Sequence, residues 1–322
     1  MRVAVTGAGG RLGRAMVEAL ADAPFTGPAG PVAWTRREFD LDEVASIDAL
    51  LDRDRPEVVV HAAAWTDVDG CARDPGRAMA RNGDATDRLA AACASRGVDL
   101  VVISTNEVFD GRRDDGRGYR ADDVPSPANA YGASKLAGES AATARYEARW
   151  AAGRGAEVRP PQLAVARTSW LFGPGAPDFP TKILAAADRA REAGEALRVV
   201  SDEWGSPTYT HDLAEAIVEL LAEDALAPRD RAVAIHHLVG GGVASRADWA
   251  RQILQLVGRD VAIEEVPSST WPRASTPPRW AVLEPTPLPS GEPMRPWPAA
   301  MADHAPSLRR GVRGSVADGA RR

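Results

Sequence analysis

The sequence predicts an α/β fold, a doubly wound parallel sheet with a smaller C-terminal lobe. Three observations carry this. An apolar run at residues 1–6 opens directly into the glycines of GAGGRLG. Apolar runs bounded by turn residues then alternate with segments of helical spacing as far as about residue 170. Several runs, PEVVVHAAA and VDLVVIST among them, lack polar alternation, the pattern of strands covered on both faces.

Taken in order, MRVAVT is a strand, and AMVEALAD places Met16, Val17 and Leu20 on one helical face. Val32 to Trp34 is a second strand and Ile47 to Leu51 a second helix. PEVVVHAAA follows as a buried strand; RLAAACASRG is a helix stopped at Gly97; VDLVVIST is the next strand. SPANAYGASKLAGESAATARYEARWAA is a long helix introduced by turn residues. After Gly153 a polar, proline-containing connection, GRGAEVRPPQ, leads into a further strand, LAVARTSWLFG. This alternation is of the Rossmann type, with right-handed crossovers.

Beyond residue 171 the regularity declines. DLAEAIVELLAED and RADWARQILQLVG read as amphipathic helices, while the proline density between Trp271 and Trp297 excludes continuous helix or central strand. We divide the chain into a dinucleotide-binding domain at 1–170, a mixed region at 171–304 that completes the sheet and forms a substrate lobe, and a flexible arginine-rich tail at 305–322.

A chain of 322 residues, 44% hydrophobic and 26% charged, suffices for one large domain and a companion. A net charge of −6 argues against a protein that coats nucleic-acid phosphates. Cys71 and Cys93 lack metal-ligand spacing, and the adjacent acids Asp202 and Glu203 have no further ligands, so no metal is expected. No apolar stretch reaches the roughly 20 residues of a membrane span, and no leader pattern precedes the first strand, so the expected compartment is the cytoplasm.

Gly7, Gly10 and Gly13 stand at three-residue spacing between the first strand and the first helix. Such a turn tolerates positive φ, brings backbone amides close to a pyrophosphate, and sets the anion at a helix N-terminus. The second strand, which in NAD-preferring proteins ends on an acid for the ribose 2′-hydroxyl, here runs into Thr35-Arg36-Arg37. A guanidinium pairs with a 2′-phosphate, so NADPH is expected as cofactor, with NADH the alternative.

Tyr131 and Lys135 lie four residues apart on the long helix and leave it on one face. Ser104-Thr105 closes the preceding strand at its C-terminal end, where open α/β sheets bind ligands. The expected chemistry is a carbonyl oxygen held by Thr105 and protonated by Tyr131, with Lys135 holding the nicotinamide ribose and its ammonium drawing the phenol toward the phenolate.

The segments TGAGGRLG, HAAAWTDVD, ISTNEVFDG, YGASKLAGE, ARTSWLFG and DEWGSPTYTHDLA resemble, in order and over roughly residues 1–240, the extended short-chain dehydrogenases. Within these they are most similar to the dTDP-4-dehydrorhamnose reductase family. The resemblance implies NADPH reduction of the 4-keto group of a nucleotide-linked deoxysugar. It implies cofactor contacts at Gly7, Gly10, Arg11, Leu12, Gly13, Arg36, Asp40, Leu41, Ala62, Ala63, Ala64, Tyr131 and Lys135. It places substrate contacts at Thr105, Asn106, Glu107 and Trp170, with Trp170 stacking on the thymine. The family usually has STDYVFDG where this chain has Asn106-Glu107, so an acid replaces an aromatic hydroxyl beside the sugar. His61, where the family commonly has asparagine, reads as a structural hydrogen-bonder. An epimerase or dehydratase retaining NAD and a non-catalytic regulatory subunit are the other functions considered, and the intact Thr105, Tyr131 and Lys135 count against the latter. The partner expected is a nucleotide sugar, and the reading is compatible with a homodimer.

Overall fold

The computed structural model describes residues 1–43, 46–153, 159–175 and 177–319. The connection expected after Gly153 falls partly at 154–158, outside the described residues. The first part of the chain supplies strands β1 Val3–Thr6, β2 Val32–Trp34, β3 Val58–His61, β4 Asp99–Thr105 and β5 Leu163–Thr168. Between them run helices α1 Arg11–Asp22, α2 Ile47–Asp54, α3 Val68–Arg73, α4 Pro75–Ala78, α5 Ala85–Arg96 and α6 Ala130–Ala152.

The remainder contributes the short strands β6 Leu171–Phe172, β7 Leu197–Val200, β8 Trp204–Gly205 and β9 Thr208–Tyr209, with α7 Phe179–Ala193 and α8 Thr210–Ala222. It ends with β10 Val233–His237, β11 Ala244–Ser245, α9 Arg246–Val257, β12 Ile263–Val266 and α10 Trp297–Gly319. β10 returns to the central sheet, which has the order β10-β5-β4-β3-β1-β2 with every pairing parallel. The order reverses between β1 and β3, and the crevice beyond their C-terminal ends is where such sheets bind ligands.

The period of two along each strand divides its side chains between two cores. Val3, Val5, Val58 and Val60 pack with Met16, Leu20, Leu213 and Ile217 on the side of α1 and α8. Ala4, Val59, Leu100 and Val165 pack with Leu51, Leu89, Ala142 and Tyr146 on the side of α2, α5 and α6. Cover on both faces is why these strands read as unbroken apolar runs. A third core joins Phe172, Leu184, Val199, Trp249, Ile253, Trp297 and Met301 in the smaller lobe. Two of that lobe's helices begin in capping boxes, Asp178 with Thr181 on α7 and Ser245 with Asp248 on α9, and both stop at a left-handed glycine.

The tail expected at 305–322 does not begin at 305, and its last residues, 320–322, lie outside the described residues. α10 carries straight through position 305, with Pro306 inside it, and Ala305 and Leu308 are buried, Leu308 in the third core. The apolar docking of one face outweighs the single backbone bond that Pro306 removes. Trp271 to Trp297 holds only three isolated bridges, at Trp280, Leu283 and Pro296, yet it is pinned across the molecule: Trp280 N–H donates to the Gly111 carbonyl (3.1 Å), Tyr119 N–H to Val282 (2.8 Å) and Glu284 N–H to Tyr119 (2.8 Å). It therefore crosses the C-terminal edge of the sheet as a strap.

Candidate active site

At the glycine turn, Gly7 has φ +64° and its missing Cβ would stand 2.9 Å from the Ala63 backbone at the end of β3. A Cβ on Gly13 would overlap the Gly7 carbonyl oxygen, so glycine there lets α1 press onto the turn. Gly10 caps α1 in extended conformation, and its N–H donates to the Gly7 carbonyl at 2.8 Å. The turn opens onto a groove of about 500 Å³ lined by Gly7, Gly10, Arg36, Asp40, Leu41 and the Ala62–Ala64 backbone, with Thr35, Arg37, Phe39, Trp65 and Arg81 beside them. Close backbone approach, a helix N-terminus and arginines at the far end fit a dinucleotide diphosphate with an extra phosphate on its ribose.

Of the expected cofactor residues, Arg11, Leu12, Gly13, Tyr131 and Lys135 do not line this groove. Leu12 is buried in the core under α1, which leaves its first-turn amide as its one contribution to an anion. The Arg11 side chain turns to the smaller lobe, donating to the Gly173 carbonyl at 3.2 Å with Asp178 4.0 Å away. Arg36 is exposed and pairs with Asp40 at 3.5 Å, a solvated contact that holds neither side chain firmly.

Sequence reasoning missed what anchors the floor of the groove. Between α4 and α5 the chain widens into a π-helix, Met79–Asp84, that carries Asn82. Asn82 is buried; its carbonyl oxygen accepts from Trp65 N–H (2.8 Å), and its amide donates to the Trp65 carbonyl (3.0 Å) and to Ser134 Oγ (3.1 Å). It thereby fastens the loop after β3 to α6. The legible signal was a polar Asn-Gly pair within an otherwise helical pattern. His61 is buried between two threonines, Nδ1 at 2.8 Å from Thr6 Oγ1 and Nε2 at 3.2 Å from Thr86 Oγ1. Because the Thr86 hydroxyl donates to the Asn82 carbonyl, it must accept from His61, which assigns the proton to Nε2 and leaves Nδ1 to accept from Thr6. Burial draws the His61 pKa down to about 3, so the ring is neutral.

Thr105, Tyr131 and Lys135 come together where β4 ends and α6 begins. Asn129 caps α6, its Oδ1 accepting from Gly132 N–H at 2.8 Å, and so fixes the turn that carries Tyr131. Tyr131 and Lys135 are both buried. The electrostatics correct the expectation for Tyr131. Burial first, and then the Glu107 carboxylate, push the phenol well above its ordinary value, while the Thr105 hydroxyl works the other way by bonding the ionised form. Burial draws the Lys135 ammonium down to about 8, with Glu139 opposing. Tyr131 is thus held as a neutral phenol, the form that donates a proton to a carbonyl being reduced.

The expected substrate residues divide. Asn106 is buried, and its amide donates to the Ala281 carbonyl of the strap at 2.9 Å, so it ties strap to sheet. Glu107 instead lies in the site. Asn129 donates to its Oε2 at 2.6 Å, and burial raises its pKa against the pull of Asn129, Arg246 and Arg273, with Glu203 adding to the rise. Trp170, at φ +45°, has the Arg246 guanidinium 3.6 Å from its ring centroid, and a Cβ on Gly205 would sit 2.6 Å from that ring. The Trp170 ring is therefore engaged by protein groups, Arg246 and the Gly205 backbone among them. The buried Glu203 holds Arg246 (3.6 Å) and pairs with Arg273 of the strap. Arg246, Arg273 and Glu203 lay outside the expected set: Glu203 lies in the DEWGSPTYTHDLA segment with no chemical signature of its own, and only the fold brings the three charges to Glu107.

The sequence model of the RmlD substrate binding domain family matches residues 1–309. The dTDP-4-keto-6-deoxy-D-glucose reductase of Streptomyces niveus is 36% identical over 281 residues, 87% of this chain and 87% of that protein. The dTDP-4-dehydrorhamnose reductase of Streptomyces griseus is 35% identical over 307 residues, 94% of this chain and 93% of its own. Among solved structures, a Clostridium acetobutylicum dTDP-4-dehydrorhamnose reductase superposes with TM-score 0.81 at 28% identity, covering 96% of this chain and all of that one. The Bacillus anthracis dTDP-4-dehydrorhamnose reductase, solved in complex with NADP, gives 0.77 at 26% identity, covering 94% and 98%.

Proposed function

The chain belongs to the RmlD substrate binding domain family, that of the dTDP-4-dehydrorhamnose reductases, and from that premise we propose that it reduces dTDP-4-dehydrorhamnose to dTDP-L-rhamnose with NADPH. The convergence of Thr105, Tyr131 and Lys135 beside the glycine groove carries the reading. NADPH supplies a hydride when bound. Gly7, Gly10 and the first-turn amides of α1 would hold its diphosphate, Arg36 and Arg37 its 2′-phosphate, and Lys135 its nicotinamide ribose.

The protein's own part in the reaction is orientation and proton supply. Thr105 Oγ1 donates to the substrate carbonyl oxygen and Tyr131 Oη delivers the proton that turns it into a hydroxyl. Burial excludes water that would otherwise compete for both bonds. On the substrate side, Arg246 and Arg273 place two guanidiniums near a nucleotide diphosphate, while Glu107 offers the sugar an acceptor. An ionised carboxylate accepts but cannot donate, so the sugar it favours presents a hydroxyl at that position.

No helix among the described residues is long and apolar enough to cross a membrane, and Cys71 and Cys93 are free and buried. We place the reaction in the cytoplasm, whose reducing conditions suit unpaired thiols, and propose a homodimer as an assembly that sedimentation would test. The deciding experiment measures NADPH consumption with a panel of dTDP-4-keto sugars and identifies each product. The proposal expects dTDP-4-dehydrorhamnose to give the highest kcat/KM, and another preferred sugar would move the assignment within the reductases. Tight retention of NAD with no net consumption of NADPH would indicate an epimerase or dehydratase instead.

A further inference from the structure

Asn129 makes three side-chain contacts that its amide can serve in one orientation only. Its Oδ1 accepts from Gly132 N–H at 2.8 Å, which leaves Nδ2 to donate twice, to Glu107 Oε2 at 2.6 Å and to the Thr276 carbonyl at 3.2 Å. The first contact caps α6, and the other two do nothing for the helix. One reaches the turn after β4 and the other reaches the strap. Among the described residues Asn129 is the one hydrogen-bond donor to the Glu107 carboxylate, so it sets where a side chain with several rotatable bonds points. The strap is held at three neighbouring positions by three different elements. Arg273 pairs with Glu203, just ahead of β8. Ser275 is buried and donates to Asp69 Oδ1 of α3 through both its N–H (2.9 Å) and its hydroxyl (2.7 Å). Thr276 is held by Asn129. Apart from Ser275, positions 271–276 are exposed, so these bonds and not an apolar core fix the stretch.

We propose that Asn129 is a positioning residue for sugar selectivity: one amide aims the Glu107 carboxylate into the site and fastens the strap beside it, so that recognition of the sugar and attachment of the strap are coupled. The proposal rests on the reading that Glu107 meets the sugar. A site rejects an analogue lacking a hydroxyl when the group that would bond that hydroxyl is fixed in place and left unpaired without it. Glu107 freed from Asn129 has other partners to turn to, because the Arg246 and Arg273 guanidiniums both attract it. Arg273 belongs to the strap, so a strap that loosens also moves one of those charges. Asn106 ties the strap to the sheet farther along, at Ala281, which leaves Asn129 and Asp69 to govern positions 275 and 276.

The test uses Asn129→Ser and Asn129→Asp, both of which keep an oxygen to cap α6 while losing the two donated bonds, so one serves if the other fails to fold. Two quantities are read on the full chain. The first is discrimination, the ratio of kcat/KM for dTDP-4-dehydrorhamnose to that for its deoxy analogues. The second is amide hydrogen exchange across residues 273–281. Discrimination should fall by about fivefold to a hundredfold, the coupling of two groups in one hydrogen-bond network, and exchange at the strap should quicken, with the Kd for NADPH nearly unchanged. In a Glu107→Ala background, Asn129→Ser should cost little further discrimination. Asp69→Ala, which frees the strap without touching α6 or Glu107, should lower discrimination in the same sense. Folded Asn129 variants that change melting temperature alone, or that change only one of the two quantities, would leave Asn129 a helix cap and overturn the proposal. A loss that persists undiminished without Glu107 would overturn it as well. If no keto sugar is turned over, the proposed function falls, and the same ratio is read from the Kd values of the dTDP-sugars, so the two failures stay apart.

Discussion

The carbonyl oxygen of Glu107 fills the space a Cβ on Gly132 would need, so the turn after β4 and the first turn of α6 touch backbone to backbone. Glu107 and Tyr131 are thereby set side by side on separate elements. Gly132→Ala must push these elements apart, a strain of about 1–3 kcal/mol by the measure of overpacked cores. We expect a lower melting temperature together with a kcat loss of at least about tenfold, as Thr105 and Tyr131 lose their common geometry. Calorimetry and steady-state kinetics on the variant check this, and unchanged kcat would show that the contact does not align the site.

Glu107 is expected to set sugar preference. Replacing it by Gln keeps the shape but removes the charge that strengthens a hydrogen bond from a sugar hydroxyl, an interaction worth about 1.5–3 kcal/mol. Glu107→Gln and Glu107→Tyr should therefore lower kcat/KM by about ten- to a hundredfold for sugars with that hydroxyl, and by less for analogues lacking it. A uniform change across the panel would mean that Glu107 does not touch the sugar.

Arg36 is expected to set cofactor preference. Its pairing with Asp40 is solvated and gives way readily to a phosphate. Arg36→Ala should weaken NADPH by about tenfold or more, the value of a charge-assisted bond, and leave NADH nearly unchanged. Titrating both cofactors by intrinsic fluorescence decides it, and equal losses for the two would place the 2′-phosphate elsewhere.

His61 makes the fold sensitive to acid. Its folded pKa is depressed to about 3, so between that value and the ordinary value near 6.5 the unfolded chain binds the extra proton. Stability is therefore full above about pH 6.5 and falls as pH drops, by about 2 kcal/mol at pH 5 from this group. His61→Gln should flatten the decline in melting temperature between neutral pH and pH 5. A decline as steep as that of wild type would assign the acid sensitivity to other groups.

The sheet was legible because doubly covered strands and glycine-stopped helices leave local patterns, and the YGASK pair because α-helical periodicity alone puts Tyr131 and Lys135 on one face. Less local features were not. Asn82 depends on a π-helical widening, and Arg246, Glu203 and Arg273 reach the site through long-range packing of the smaller lobe and its strap. The charge state of Tyr131 also escaped sequence reasoning. Spacing pointed to Lys135 as its electrostatic neighbour, whereas burial and Glu107 dominate in the fold. The C-terminal helix was hidden by a basic composition that resembles a tail, since the docking of Ala305 and Leu308 has no strong signature in so short a stretch.

In the proposed reaction this constellation reduces a keto sugar, with Tyr131 as proton donor. That role is tested most directly by Tyr131→Phe, which preserves the ring and removes only the hydroxyl. The measurement is kcat with NADPH and dTDP-4-dehydrorhamnose, taken with the Kd for NADPH on the same preparation. A kcat lower by about a hundredfold to ten-thousandfold is expected, at nearly unchanged cofactor affinity. Wild-type kcat in a variant that still binds NADPH would contradict it and move proton delivery to another group.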